Sequence, residues 1–315
     1  MDLNGILYNG QSEFQKIDVV ETYFGKTLVT DGKTQSAQLD EFAYHESLVH
    51  PAMLRSALSG TPPKKVFIGG GGELATAREV LRHKSVERCV MVDIDGVVID
   101  VCKKHLPEWG GETVTSDPRL ELIVGDAHLW MMETKETFDV IIMDISDPIE
   151  AGPGIMLYTK EFYEHALTRL TMPGGVFVTQ SGTAESVPAA HHNEGTEDTS
   201  CYGPIHNTLR SVFDCVVPYS TNIPSFGGDW GFNMAFQAPP GEQNNSAAVE
   251  NEWKFPPSPS IIDDLIEQQI EGGPDRLELY DGVSHYTMFS LTKALRKSLQ
   301  ADERIMTRDN PVFMY

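Results

Sequence analysis

From Lys64 onward the chain alternates short apolar runs with longer amphipathic stretches. The runs Lys65–Ile68, Arg88–Val92, Leu120–Val124, Val140–Met143 and Val176–Gln180 predict strands. Leu74–His83, Val97–His105 and Lys160–Leu170 read as helices between them. That order predicts an α/β fold with a parallel-rich sheet and helices on both faces. Strands near Cys215–Tyr219 and Gly231–Gln237 complete the sheet. The first residues follow a different pattern. Phe14–Thr22 and Gly25–Thr30 read as strands joined through Tyr23-Phe24-Gly25-Lys26, and Asp31-Gly32 marks a second turn. A helix is expected from about Asp40 to Ala57, interrupted at His50-Pro51, where Pro51 starts a new helix.

The expected organisation is a small N-terminal β domain over 1–50, a Rossmann-like domain over 51–240, and a linker with a C-terminal helical segment over 241–315. Residues 238–260, rich in Pro, Asn, Ser and Glu, form the linker. Helices follow around Ser260–Glu271 and Ser290–Gln300, with apolar and aromatic residues to pack on the body or on a partner subunit. The polar stretch Gly182–Gly203 reads as a loop. Its His191, His192, Glu194, Glu197 and Asp198 lack a metal-ligand spacing.

Composition narrows the function. With 315 residues, 40% hydrophobic and 22% charged, the chain can bury a full core. No apolar run approaches the ~20 residues of a membrane span. The start, Met1-Asp2-Leu3-Asn4-Gly5, has no basic or apolar signal character, so a cytoplasmic location is expected. Cys89, Cys102, Cys201 and Cys215 form no CxxC pair, which favours reduced thiols over disulfides or zinc. A net charge of −22 repels nucleic acid and anionic membranes and attracts a polycation.

The candidate chemistry sits at the carboxyl ends of the strands, where open α/β sheets bind ligands. Ile68-Gly69-Gly70-Gly71-Gly72-Glu73 joins the first strand to a helix. Its glycines let the backbone approach a ligand closely, yet it is neither a phosphate-binding Walker loop nor a strict GxGxxG. Glu73 disfavours a phosphate or carboxylate there and favours an ammonium. Asp93 ends the second strand, where an acid typically binds ribose hydroxyls, and Asp95 suits a helix cap. Gly125-Asp126-Ala127 ends the third, where Asp126 can accept from an adenine amino group. Asp144 and Asp147, before Pro148, close the fourth. One acid at a strand end ordinarily caps a helix. Acids at four successive ends point to a nucleoside pocket with an anionic floor. The α-carboxylate of S-adenosylmethionine would be repelled by Glu73. The decarboxylated form keeps the amine and lacks that carboxylate. Its sulfonium activates the propyl carbon, and a carboxylate can take the proton of an attacking amine.

Gly70-Gly71-Gly72-Glu73, Asp93-Ile94-Asp95, Gly125-Asp126, Asp144-Ile145-Ser146-Asp147-Pro148 and Leu157-Tyr158-Thr159 resemble the spermidine and spermine synthase family of aminopropyltransferases. Asp31–Gln35 and Asp40–Glu46 add to the resemblance, which covers about residues 10–240. It implies a Rossmann-like fold of the S-adenosylmethionine-methyltransferase type behind a β domain. It implies Asp144 as catalytic base, Asp147 as anchor of the acceptor amine and Glu73 as holder of the aminopropyl ammonium. Asp93 matches the ribose ligand and Asp126 the adenine contact. Gln15, His45, Gly70 and Ala127 fall on the donor side, and Gln35, Tyr44 and Phe226 on the acceptor side. His45 stands where the family usually has glutamine, and Phe226 where it has a tyrosine. The glycine loop with Glu73 and Thr76-Ala77-Arg78-Glu79, Tyr44-His45-Glu46, Asp147–Pro153 and Asp229-Trp230-Gly231 resemble the thermospermine synthase branch. The expected reaction uses decarboxylated S-adenosylmethionine and spermidine, with no cofactor or metal, in a homodimer or homotetramer. A spermine or spermidine synthase, a methyltransferase on the same fold and a non-catalytic polyamine-binding protein are the competing readings.

Overall fold

The computed structural model describes residues 3–150, 152, 154–185 and 200–314. His191, His192, Glu194, Glu197 and Asp198 lie outside the described residues, as do Ala151 and Pro153. In chain order the elements are β1 (Gly5–Gln11), β2 (Lys16–Thr22), β3 (Gly25–Thr30), β4 (Lys33–Ala37), α1 (Glu41–Leu58), β5 (Lys65–Gly70), α2 (Ala75–Leu81), β6 (Arg88–Asp93) and α3 (Gly96–His105). Then come α4 (Gly111–Thr115), β7 (Leu120–Val124), α5 (Ala127–Glu133), β8 (Val140–Asp144), α6 (Lys160–Thr168), β9 (Val176–Thr183) and α7 (Tyr202–Arg210). The last are β10 (Cys215–Ile223), β11 (Gly228–Phe236), α8 (Ser246–Lys254), α9 (Ser260–Gln269), α10 (Gly282–Phe289) and α11 (Lys293–Ala301).

Strands β1 to β4 form an antiparallel meander. Asp31 and Gly32 both have positive φ, the conformation a tight hairpin turn needs. The other sheet has seven strands in the order β10-β11-β9-β8-β5-β6-β7, with only β11 reversed against its neighbours. Alternation along its strands feeds two cores. Val66, Ile68, Val140, Ile142, Val176 and Val178 pack beneath α1, α2 and the C-terminal helices. Phe67, Ile141, Met143 and Phe177 pack against α5, α6 and α7. The meander lies on α3 and the 3-10 turn after it, where Ile17, Val19 and Leu28 meet Val98, Val101 and Trp109. Among the described residues, no helix is long and apolar enough to cross a membrane.

Two expectations about elements need correction. His50-Pro51 does not interrupt the first helix, since α1 runs unbroken through Pro51. Proline removes the N–H that would bond the carbonyl four residues back. That carbonyl belongs to Ser47, and the buried Tyr219 hydroxyl donates to it at 3.0 Å. Residues 238–260 are not wholly a linker either, because α8 lies within them. Most of its polar residues face outward. Trp253 is buried, and Glu250 accepts from the Val216 amide and from Arg210, both at 3.0 Å. The C-terminal helices pack on the body: Ile262, Ile266, Met288 and Phe289 belong to the first core.

Tyr219→Phe should therefore destabilise the protein by about 1–3 kcal/mol, the cost of a buried acceptor left without a donor. In a Pro51→Ala background the new amide serves Ser47 and the cost should shrink below about 1 kcal/mol. Urea unfolding of the four proteins measures this. Equal costs in both backgrounds would refute the link.

Candidate active site

The chain leaves β5 toward β6 and β7, and leaves β8 toward β9. The crevice beyond β5 and β8 is thus the topological switch point. Gly70 and Asp144 stand opposite each other there. Gly70 has φ of 85°, and a Cβ on it would lie 2.0 Å from the Asp144 carbonyl oxygen. The Gly71 amide donates to that oxygen at 2.9 Å. A Cβ on Gly72 would meet Asp93 Oδ2 at 3.0 Å. The glycines thereby let the ends of β5, β6 and β8 converge. Leu74 follows with φ of 78°, a strained value for a branched residue, and its buried side chain holds the turn that presents Glu73.

Asp144 is buried at the floor of the crevice. Tyr44 Oη donates to its Oδ1 at 2.7 Å, and the Thr76 hydroxyl donates to Oδ2. Burial and the charge of Glu73 raise its pKa to about 6, while His45 and the two hydroxyls pull the other way. Tyr44 comes from α1 and is held edge-on by Phe226, at 5.8 Å between ring centroids. Phe226 in turn meets Trp230 at 4.8 Å. Asp40 precedes α1 but does not cap it. It accepts from the amide and hydroxyl of Ser225 at 2.7 and 2.8 Å, which fixes the short 3-10 turn carrying Phe226.

A chain of alternating charges runs behind Asp144. His45 Nε2 donates to Glu73 at 3.0 Å, and Nδ1 donates to Glu41 Oε2 at 2.9 Å. Arg78 clamps Glu41 with both terminal nitrogens, at 3.0 and 2.8 Å. Arg78 also pairs with the buried Glu79, which binds His50 at 3.1 Å. Burial disfavours charge on His45, yet the bonds to Glu41 and Glu73 prevail and lift its pKa to about 10. Nearby, burial and the charge of His50 push His83 well below the usual range. His45, Glu73 and Asp144 place ligand-type atoms within 4.8 Å of one another. A metal ligand needs a free lone pair on imidazole, and His45 donates from both nitrogens. The geometry fits a proton-bridged ion network.

Toward the nucleoside side, Asp93 accepts from the Asp95 amide at 2.8 Å, and burial with the Glu73 charge raises its pKa to about 7. Asp95 caps α3 through the Val97 and Val98 amides. Its other oxygen takes the Ser12 hydroxyl at 2.6 Å and Gln15 Nε2 at 3.0 Å, so Gln15 reaches this end from the meander. Asp126 caps α5, accepting from His128 and Leu129, with Ala127 buried behind it.

On the opposite side, Asp147 accepts from Gln180 Nε2 at 3.2 Å, and burial raises its pKa. Gln180 also contacts the Tyr158 hydroxyl at 2.7 Å and accepts from Trp230 Nε1 at 3.2 Å. Gln35 turns back within its own strand, toward the Lys33 carbonyl at 3.4 Å. The crevice thus joins Tyr44, His45, Gly70, Glu73, Asp93 and Asp144, with Asp147 and Phe226 at one end and Gln15 at the other. Asp126 and Ala127 sit at the head of α5, and among the described residues no hydrogen bond links Gln35 to Asp144 or Asp147. Sequence reasoning missed Gln180, Thr76 and Glu41. Gln180 had a signal as the polar end of a predicted strand. Glu41 had one as the residue four before His45. Thr76 had only its place after the glycine loop.

Sheet order and site define the class, an α/β enzyme with an acid-lined crevice at the switch point. The chain matches the spermine/spermidine synthase domain over residues 41–245 and the spermidine synthase tetramerisation domain over residues 1–38. It is 40% identical over 308 residues to the polyamine aminopropyltransferase of Sulfurisphaera tokodaii, covering 98% of this chain and 91% of the relative. It is 38% identical over 307 residues to that of a Synechococcus strain, covering 97% and 90%. It is 37% identical to thermospermine synthase ACAULIS5 of Arabidopsis thaliana, covering 99% and 83%. A crystal structure of spermidine synthase in complex with the transition state analogue AdoDATO superposes with a TM-score of 0.76 at 29% identity, covering 96% and 90%. Spermidine synthase from Thermotoga maritima gives 0.72 at 27% identity, covering 96% and 90%. The chain belongs to the spermine/spermidine synthase family, and its activity is that of an aminopropyltransferase.

The raised pKa of His45 has a stability consequence with a definite sign. Its contribution is fully present below about pH 6.5, the ordinary value, and is lost as pH rises through about 10. Melting temperatures of the wild type and His45→Gln between pH 6 and pH 10 should converge as pH rises. A difference that stays constant over that range would show that His45 is uncharged in the fold.

Proposed function

We propose that this enzyme transfers the aminopropyl group of decarboxylated S-adenosylmethionine to spermidine, forming thermospermine and releasing 5'-methylthioadenosine. The observation that carries the donor assignment is Glu73, held by His45 beside Asp144 at the switch point. A carboxylate here opposes the carboxylate of ordinary S-adenosylmethionine and suits the free ammonium of the decarboxylated form. In this reading Asp93 binds the ribose hydroxyls and Asp126 the adenine, with Gln15, His45, Gly70 and Ala127 around the donor. Asp147 anchors an acceptor ammonium, and Tyr44, Phe226 and Gln35 belong to the acceptor side.

The chemistry follows from the charges. The neutral acceptor nitrogen attacks the propyl carbon, the C–S bond breaks, and its electron pair neutralises the sulfonium. Asp144 takes the proton that the new ammonium releases. A carboxyl with a pKa near 6 is a better base than an ordinary carboxylate and is still ionised at neutral pH. The sulfonium is already an activated leaving group, so the step asks for no metal. Thermospermine as product is supported by the resemblance of the glycine loop and Tyr44-His45-Glu46 to that branch, and by the Arabidopsis relative. The apolar Phe226 agrees with an acceptor carrying a longer methylene chain. The tetramerisation-domain match, with Leu3, Ile6 and Tyr23 exposed on the N-terminal segment, supports a homo-oligomer.

Incubation with decarboxylated S-adenosylmethionine and spermidine, then chromatographic separation of tetraamine isomers, tests the product. Thermospermine is expected. Spermine would overturn the branch assignment, and spermidine formed only from putrescine would overturn the acceptor. Asp144→Asn should lose about 100-fold or more in kcat/KM, and the activity that remains should lack the rise near pH 6. Near-normal turnover in that variant would remove Asp144 from the role of base.

A further inference from the structure

The segment after α11 is tied to the body at several points, and the last of them lies beside Asp147. Met306 is buried, with its amide on Thr208 Oγ1 and its carbonyl accepting from the Lys160 amide, both at 2.8 Å. A tight turn pairs Thr307 with Asn310 and reverses the chain. The Val312 carbonyl then accepts from Cys201 Sγ at 3.9 Å. Val312 and Met314 pack against the core that includes Leu157 and Tyr158. The Met314 amide donates to the Pro148 carbonyl at 2.8 Å. Its sulfur lies 3.0 Å from where a Cβ on Gly182 would stand, and Asp147 Oδ1 lies 3.7 Å from the same point.

Asp147 and Pro148 follow β8 in irregular backbone. Gln180 holds the Asp147 side chain, and the Gly182 amide orients Gln180 at 2.9 Å. Met314 supplies the complementary support, one main-chain bond to the next residue and a thioether against Gly182.

We propose that Val312–Met314 is the outer support of the acceptor end of the site. Met314 is a positioning residue for the acceptor amine, acting through Pro148 and Asp147. The inference rests on the reading of Asp147 as the acceptor anchor. The segment carries no charge from Pro311 to Met314, so it offers a polyamine an apolar surface for methylenes beside a carboxylate for an ammonium. Loosening this support displaces Asp147 from its productive position without touching the donor end, and misplacement near 1 Å can cost about 100-fold.

The test compares the wild-type enzyme, Met314→Ala and a chain lacking residues 311–315. KM for spermidine and for decarboxylated S-adenosylmethionine, affinity for 5'-methylthioadenosine, and melting temperature are measured for each. The shortened chain should raise the spermidine KM by about tenfold or more, while donor KM and methylthioadenosine affinity stay within about twofold. Met314→Ala keeps the amide donor and should fall between. Unchanged spermidine KM in both variants would overturn the proposal. So would donor and acceptor KM rising together with a lower melting temperature in both, the mark of a merely structural role. If the wild type rejects spermidine, the functional reading fails, and the same comparison with the amine it does use still decides the role of Met314.

Discussion

The structure depends on keeping several carboxylates close together out of water. Burial raises the energy of the charged forms of Asp93 and Asp144, and the charge of Glu73 adds to the cost at both. The fold answers with one imidazolium. His45 spans Glu41 and Glu73, and Arg78 keeps Glu41 from taking its proton by clamping both carboxylate oxygens. A single hydrogen-bonded row thus carries positive charge from α2 to the crevice. A neutral glutamine at position 45 could bridge the same acids but could not offset their charge. The partial compensation leaves Asp144 and Asp93 with raised pKa values and the crevice with unspent negative potential.

That residual potential complements a substrate pair with a sulfonium at the centre and ammonium groups at both ends. In the proposed reading, such cations favour the ionised forms of Asp93 and Asp144, which burial and Glu73 disfavour. The proposed reaction consumes the central positive charge on sulfur and generates one on nitrogen, beside Asp144, the carboxylate proposed to accept the proton. Charge therefore moves only from sulfur to nitrogen, across the carbon being transferred, within a site that is already built around it. This is the electrostatic reason why preorganised carboxylates suit alkyl transfer from a sulfonium.

The inner strands of the large sheet were legible because each is a short apolar run bounded by turn residues, as burial on both faces requires, while the edge strand β7 kept an apolar run though only partly buried. The acids at their ends were legible for the same topological reason. Asp95 behaves as the cap expected of it, and Asp126 has a cap role alongside the nucleoside contact assigned to it. What stayed hidden depends on partners distant in sequence. Pro51 reads as a break because proline normally orphans a carbonyl, and the hydroxyl that rescues it comes from Tyr219, 172 positions from Ser47. Asp40 reads as the first residue of the helix, and its partner Ser225 lies 185 positions on. The helix within residues 238–260 reads as linker because only Val249, Glu250 and Trp253 turn inward.

Helix α1 shows why periodicity alone underestimates this kind of site. Nearly all of it is buried, so it has no solvent face on which to place its polar residues. Glu41, Tyr44, His45, Glu46, Ser47 and His50 each find a specific partner instead. Glu46 accepts three successive amides, Glu278 to Tyr280, at 2.8 to 2.9 Å. The same helix therefore anchors the C-terminal region, the glycine loop and Asp144 at the crevice floor. An apolar helix would pack as well and hold none of these in register. The unbroken run through Pro51 matters for the same reason: a kink there would rotate Tyr44 and His45 relative to His50, and the charge row from Glu73 to Glu79 requires both ends in line.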